Sequence, residues 1–400
     1  MERNRLSALW GGILIVAGTT IGAGMLALPV VTGAAGFLPS VVLFIAYWLY
    51  MLFTGFLILE LHFSWPQHPN LISMARLTLG RIGGLFALLL YFFLLYTLTT
   101  AYLAGSGPIF SAFLEWMVGY SMPEKAAVLP LLLLFGGVVY GGAASIDRAN
   151  RLLMCCLGAA YILMVVFLSP HIRMEYLARR EWMQLGMAVS IVSTSFGFHI
   201  VIPSLSSHLN GDLKTIRKAM LIGSLIPLLV YISWDWLALG IVPLTGANGW
   251  IESYHLGLDG ATVLGRALGD SRLALLSSFF SLCAIITSFL GVSLSLKDCL
   301  ADTFRIEKTA KGRLLLCLLI FIPPLIMSLT DPRAFLDALE YAGAFGVVVL
   351  LALFPLLMAW QARYRLGRIS PYRAPGGKWL LLAGIGCSFI LIAFEVRKLW

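Results

Sequence analysis

Gly18-Thr-Thr-Ile-Gly-Ala-Gly-Met-Leu-Ala-Leu-Pro29 lies inside the first apolar segment of this 400-residue chain. The segment runs from about residue 6 to about residue 31. At about 1.5 Å per helical residue it is long enough to cross a hydrocarbon core of about 30 Å. Its centre nevertheless holds Gly18, Gly22 and Gly24, two adjacent threonines and, further on, Pro29. Each interior glycine costs a helix about 1 kcal/mol against alanine, and proline removes a backbone donor. Bare backbone polar groups at membrane depth are tolerated only where they face protein or a water-filled cavity. Two readings are open for the segment by itself. One is a helix broken at mid-depth whose amides and carbonyls hold something polar. The other is a close helix crossing, with Gly18 and Gly22 four residues apart on one face.

Composition fixes the class around this segment. The chain is 60% apolar and 12% charged, with a mean hydropathy of +0.91, whereas soluble chains carry about 25% charged residues. It reads as an all-α polytopic membrane protein, a single domain over residues 1–400. The net charge of +9 does not point to nucleic acid, because the basic residues sit in short loops beside apolar spans. Cys155, Cys156, Cys283, Cys299, Cys317 and Cys387 lie in or at the ends of apolar segments, with neither metal-ligand spacing nor a disulfide framework. Met1-Glu-Arg-Asn-Arg5 resembles the start of a signal peptide. The apolar run after Arg5 is too long for one and lacks a clear cleavage site, so a retained first helix is expected.

Hydropathy predicts eleven spans, at about 6–31, 37–61, 85–110, 127–146, 152–169, 183–205, 219–242, 273–296, 314–329, 334–360 and 379–395. A tight basic turn, Asp147-Arg-Ala-Asn-Arg151, is expected between the fourth and fifth. Alternate loops, with Arg3, Arg5, Arg76, Arg81 and Lys308 among their charges, hold roughly two basic residues for every one on the other side, which includes Arg173, Arg179 and Arg180. The positive-inside rule then places the N-terminus in the cytoplasm and, with an odd span count, the C-terminus in the periplasm.

The sixth span carries a second interruption, Ser193-Thr-Ser-Phe-Gly-Phe-His-Ile-Val-Ile-Pro203. It comes five spans after the first and so crosses in the opposite direction. Paired Gly/Pro-interrupted spans in corresponding halves point to a transporter's substrate site. A five-plus-five inverted repeat fits, with halves at about 6–169 and 183–360 and an extra span at about 379–395.

Both interruptions resemble those of the aromatic amino acid permeases, the bacterial tyrosine and tryptophan carriers. So do Ile222-Gly-Ser-Leu-Ile-Pro-Leu-Leu-Val-Tyr-Ile-Ser-Trp234, Thr287-Ser-Phe-Leu-Gly-Val292 and Asp147-Arg-Ala-Asn-Arg-Leu152. The resemblance spans nearly the whole chain and is nearest to the family's tyrosine-specific members. It implies the amino acid–polyamine–organocation superfamily, a LeuT-type fold with broken first and sixth helices, a bacterial inner-membrane location, and import of aromatic amino acids, usually with protons.

An amino acid zwitterion needs donors for its carboxylate and acceptors for its ammonium. Amides at Gly22, Ala23 and Gly24 start the second half of the first helix, where the helix dipole favours an anion. Carbonyls from Ala17 to Thr20 end the first half and suit a cation. In the sixth helix the carbonyls from Ser193 to Phe196, those of Thr194 and Ser195 included, are further candidate acceptors for the ammonium, and Gly197 permits close approach. An aromatic side chain needs an apolar slot with one polar group at its end. Phe196, Phe198, Tyr96, Thr100, Tyr102, Tyr341 and Phe345 are slot candidates, each of which also fits ordinary core or lipid-facing packing. His199, Thr100 and Ser281 are candidate partners for a phenol.

Ionisable groups within spans are functional candidates by default. His199, Asp235 and Glu340 are candidate proton carriers, and each also has a structural reading. Glu60, near the end of the second span, reads as structural. Thr287 and Ser288, with the carbonyls of Ala17 and Thr20, resemble the sodium site of sodium-coupled carriers, although helix packing explains them as well. The fifth span has no lysine of the kind that serves as a proton site in some relatives. The family favours a proton gradient, with sodium as the alternative. No cofactor, metal or obligate protein partner is expected beyond the substrate and the bilayer.

Other classes fare worse. No rings of like charge mark a channel, no His-x-x-Glu-His or Gly-x-Ser-x-Gly marks an enzyme, and no P-loop marks an ATP-driven pump. A tryptophan or broad aromatic carrier, a sodium symporter and a non-transporting amino acid sensor stay open.

Overall fold

The structure, a computed structural model, describes residues 2–119, 122–307, 309–331 and 333–398, with backbone alone at 2–5 and 124. The side chains of Arg3 and Arg5, and all of Lys308, therefore lie outside the described part, although all three count towards the expected orientation. The first apolar segment forms α1 (Glu2–Thr20) and α2 (Gly24–Thr32). Then come α3 (Phe37–His62), α4 (Leu71–Val118), α5 (Glu124–Gly141), α6 (Ala143–Leu168) and the short α7 (Met174–Leu177). The sixth segment is split into α8 (Val189–Ser195) and α9 (Ile202–His208). Next in the chain are α10 (Leu213–Ile241), α11 (Trp250–His255), α12 (Gly260–Leu268), α13 (Ser271–Phe304) and α14 (Ala310–Thr330). The last long segment is α15 (Ala334–Tyr341), a π-helical run Ala342–Leu353 and α16 (Phe354–Tyr364), before the final α17 (Lys378–Lys398).

Among the described residues nine helices are long and apolar enough to cross a membrane, and the pair Leu6–Thr20 and Gly24–Thr32, bent by 52°, makes a tenth. The remaining expected span, the fourth at about 127–146, is the shorter apolar helix Lys125–Gly141. At about 1.5 Å per residue it falls just short of a full crossing.

Several expected boundaries move, two of them for reasons visible in the backbone. Hydropathy places the fourth span at 127–146 with a turn at Asp147–Arg151, but the chain turns at Gly142 (φ 92°, ψ −174°), and Asp147 and Arg151 lie inside α6. Hydropathy runs smoothly through this point, whereas the left-handed φ, which favours glycine, does not. Arg151 and Asp147 are instead an exposed i,i+4 ion pair on the helix surface, 2.8 Å apart. The third span starts earlier than 85, because Asn70 caps Ser73 N (2.9 Å) and opens a helix at Leu71. That helix kinks at Gly80 (φ 79°) before the membrane-depth part begins.

α2 is buried on every side, as a helix apolar all round must be. It packs against α8, α10, α11 and α12, while α1 lies along α10. Trp250 of α11 presses on Gly33, where any Cβ would lie 2.6 Å from the indole. The π-helical run packs on α8 and α4, with Gly343 so close to the Ser190 carbonyl that no side chain fits. At one end of the bundle Glu60 is fully engaged. Arg363 Nε donates to it at 2.7 Å, Arg363 Nη2 donates to its second oxygen, and Ala374 N donates at 2.7 Å. This ion pair, buried on both sides, ties α3 to α16, so Glu60 is structural as expected.

Candidate functional site

Three residues, Ile21, Gly22 and Ala23, separate α1 from α2. Ile21 N still closes on Ala17 O at 2.8 Å, and Met25 N and Leu26 N restart the ladder on Gly22 O and Ala23 O at 3.1 Å each. Between these, the Ala23 amide leaves the helix pattern and donates to Ser288 Oγ of α13 at 2.9 Å. Among the described residues the amides of Gly22 and Gly24 have no protein partner. Donors bare at this depth, at the start of a buried helix, are where an anion is stabilised. Glycine is required here for space rather than for φ. A Cβ on Gly22 would collide with Ser288 Oγ, and one on Gly24 would lie 3.0 Å from Ser195 Oγ.

The second interruption lies against the first, because α2 packs on α8. α8 ends at Ser195, and Phe196, Gly197 and Phe198 lie outside regular helix before a short turn leads into α9. One side chain joins the two breaks. The Tyr231 hydroxyl of α10 lies 2.6 Å from Thr20 O and 2.9 Å from Ser195 O, sharing one proton between the two helix-ending carbonyls. Its ring is fully buried, edge-on to Phe196 (centroids 5.2 Å apart) and near Phe44 (6.5 Å). Tyr102 of α4 faces Ser288 and, with Ser106, Phe135, Ile285 and Phe289, lines a mostly apolar cleft beside it. A more open cavity of about 380 Å³ lies where α3 ends beside α9, lined by His62, His68, Ser206 and Asn210 among others.

The expected residues divide. Thr20, Gly22, Ala23, Gly24, Ser195, Phe196 and Ser288 meet at the paired breaks. Thr194 is next to them, but its hydroxyl bonds Ser190 O (3.2 Å) and Leu339 O (3.1 Å). Gly197 faces Leu351 and Val347 of the π-helical run. Phe198 turns towards Gly55 and Met220. Ala17 O is taken by Ile21 N, and the Thr287 hydroxyl donates to Cys283 O and Ala284 O of its own helix (2.9 and 3.0 Å). Tyr96 is drawn off by α14, where its hydroxyl donates to Leu319 O at 3.0 Å. Thr100 bonds Tyr96 O at 2.9 Å and faces Met327. Tyr341 is 45% exposed. The structure does not bring these last three to the breaks. Ser281 donates to Asp259 Oδ1 (2.8 Å) and so ties α12 to α13.

The ionisable candidates take three different settings. Asp235 is fully buried, one helical turn after Tyr231. Its Oδ2 accepts from Thr32 Oγ1 at the end of α2 (2.8 Å), and its Oδ1 has no hydrogen-bond partner among the described residues. His199 is also buried. Its Nε2 shares a hydrogen bond with Thr54 Oγ1 of α3 at 2.8 Å, and its Nδ1 has no partner among the described residues. Glu340 is half-buried and accepts from Tyr254 of α11 at 3.3 Å. Burial first, and the Glu340 charge second, hold the Tyr254 phenol above its usual range, so it stays a donor. No cluster of three or more His, Cys, Asp or Glu able to hold a metal occurs among the described residues.

Sequence reasoning assigned no role to Tyr231. The available signal was a hydroxyl-bearing aromatic in an apolar helix, four residues before a buried carboxyl and therefore on its face.

The sequence model of the tryptophan/tyrosine permease family matches residues 5–395. The tyrosine-specific transport system 1 of Haemophilus influenzae is 33% identical, covering 97% of this chain and 96% of that protein. The tryptophan-specific transport protein of Pseudomonas aeruginosa is 34% identical, covering 94% and 91%. The tyrosine permease of Enterobacter agglomerans is 24% identical, covering 98% and 97%.

Proposed function

The chain belongs to the tryptophan/tyrosine permease family, and from that membership we propose that it imports L-tyrosine across the bacterial inner membrane by proton symport with alternating access. It is a multi-pass transport permease and not an enzyme. The observation that carries the proposal is the apposition of two interrupted helices. Unpartnered amides at Gly22 and Gly24 supply donors for a carboxylate, and the helix-ending carbonyls of Thr20 and Ser195 supply acceptors for an ammonium. The cleft beside Tyr102 is lined by apolar and aromatic side chains that an aromatic ring could stack on, but at about 10 Å³ it has to widen to take one. Relatives with tyrosine-specific and with tryptophan-specific names are about equally similar. Tyrosine is preferred here on the motif resemblance. Opposed breaks of this kind also support the LeuT-type inverted repeat.

Asp235 is the strongest candidate for the coupled proton. A buried carboxyl with one oxygen bare and no hydrogen bond to a cation is expensive to keep charged, and protonation removes that cost. Through Thr32 its protonation state acts directly on α2. Sodium at Thr287 and Ser288 is the alternative.

Uptake of radiolabelled tyrosine into proteoliposomes tests the proposal. It is run once with an inward acid gradient and no sodium, and once with sodium and no pH gradient. Unlabelled tryptophan and phenylalanine serve as competitors. Uptake driven by acid alone, and inhibited less by tryptophan than by tyrosine, is expected. A sodium requirement would overturn proton coupling, and stronger inhibition by tryptophan would overturn the substrate. Binding without uptake in either gradient would favour the sensor.

A further inference from the structure

The carbonyls of Thr20 and Ser195 end two helix halves and are the acceptors an ammonium would use, yet both already face one donor, the Tyr231 hydroxyl. We propose that Tyr231 is an internal stand-in for the substrate's ammonium, and that binding of the amino acid displaces its hydroxyl from the carbonyl pair. The inference rests on the zwitterion reading of the paired breaks. Three observations carry it. The hydroxyl is at short hydrogen-bond distance from both carbonyls, and these belong to two separately interrupted helices. The ring is held from the side by Phe196 and Phe44, so the hydroxyl is aimed rather than loose. Tyr231 also lies on α10, a helix packed against α1, α2 and α3, so it reaches the breaks from outside them.

The stand-in has a physical purpose. Two helix-ending carbonyls left bare in an apolar interior would destabilise the substrate-free carrier. A neutral phenol satisfies them one at a time, whereas an ammonium with three donors satisfies both at once and adds charge. The hydroxyl therefore holds the empty site together and yields to a stronger donor. It lowers the apparent affinity for amine-bearing ligands by the fraction of time it occupies the carbonyls. Tyr231 is on this reading a specificity residue, and it sets the advantage of a ligand with an amino group over one without.

Tyr231→Phe removes the hydroxyl and keeps the ring. Dissociation constants are measured on the purified full chain for L-tyrosine and for 3-(4-hydroxyphenyl)propionate, which lacks only the amine. One hydrogen bond of ordinary net strength predicts that the preference for tyrosine rises roughly 2- to 10-fold in the variant. A preference that falls or does not change overturns the proposal while leaving the zwitterion site intact. Equal binding of the two ligands by both proteins overturns the zwitterion site, and the proposal with it. If the variant does not fold, 3-fluorotyrosine at position 231 of the otherwise unaltered chain reports the same event by fluorine NMR. Its resonance is expected to move with saturating tyrosine and not with the propionate. A resonance that ignores tyrosine, or moves equally with both, contradicts displacement.

Discussion

Gly22 and Ser288 form a contact in which one atom decides tolerance. A Cβ on Gly22 meets Ser288 Oγ, but lies an ordinary 3.5 Å from Ser288 Cβ. Gly22→Ala is therefore expected to lower transport by roughly tenfold, in line with an overpacking cost of about 1–3 kcal/mol. Adding Ser288→Ala removes the colliding oxygen and should restore part of the loss in the same uptake assay. A double variant no better than the single one would show that Gly22 matters for something other than space. At Asp235, Asn keeps an acceptor for Thr32 but cannot carry a proton. Asp235→Asn should abolish uphill tyrosine accumulation under an acid gradient while tyrosine–tyrosine exchange continues. Persistent accumulation would remove Asp235 from the coupling step. That the glycines and Ser288 meet at the break, and that Asp235 is a buried charge, was legible in the sequence because small residues and charges are conspicuous in an apolar span. The placement of Tyr96, Thr100 and Tyr341 away from the breaks was not, because an aromatic or hydroxyl residue gives no sign of which helix face it occupies. Their actual settings, against α14 or exposed, depend on helix rotation.

The helices divide into those the bilayer dictates and those the backbone dictates. Among the described residues nine long apolar helices follow from hydrophobic length alone, and the break in the first follows from its glycines. The end of α5 does not, because Gly142 sits within continuous hydropathy and is visible only through its φ of 92°. Gly142→Ala should destabilise the chain by about 1–3 kcal/mol, the penalty for an L-residue at a positive φ with extended ψ that essentially only glycine adopts, although it adds no clash. Thermal unfolding in detergent measures it, and an unchanged midpoint would mean that the turn relaxes. The Glu60–Arg363 pair joins α3 to α16 in a second way that hydropathy cannot show. Glu60→Gln strands a buried guanidinium, and a loss of about 3–5 kcal/mol is expected, well above that of an exposed pair. A loss as small as that of an exposed surface pair would mean that water reaches the site.

Across the whole molecule, the two interrupted helices are the segments whose weakness in sequence reappears as paired breaks in space. Their partnership was legible from five-span spacing and from Gly/Pro interruption, both of which are local patterns. The residue that joins them was not legible, since Tyr231 lies 211 residues from Thr20 and 36 from Ser195. The hydroxyl and its spacing from Asp235 can be read in the sequence, but long-range hydrogen bonds of this kind leave no local sign of their partners. On the proposed function, the bare amides at Gly22 and Gly24 take the substrate's carboxylate. Hydrogen–deuterium exchange of the detergent-purified chain, read by mass spectrometry on peptides covering residues 18–29, tests that most directly. Slower exchange in this peptide is expected with saturating tyrosine, and also with 3-(4-hydroxyphenyl)propionate, but not with tyramine, which has no carboxylate. Unchanged exchange at residues 18–29 in the presence of bound tyrosine would place the substrate elsewhere.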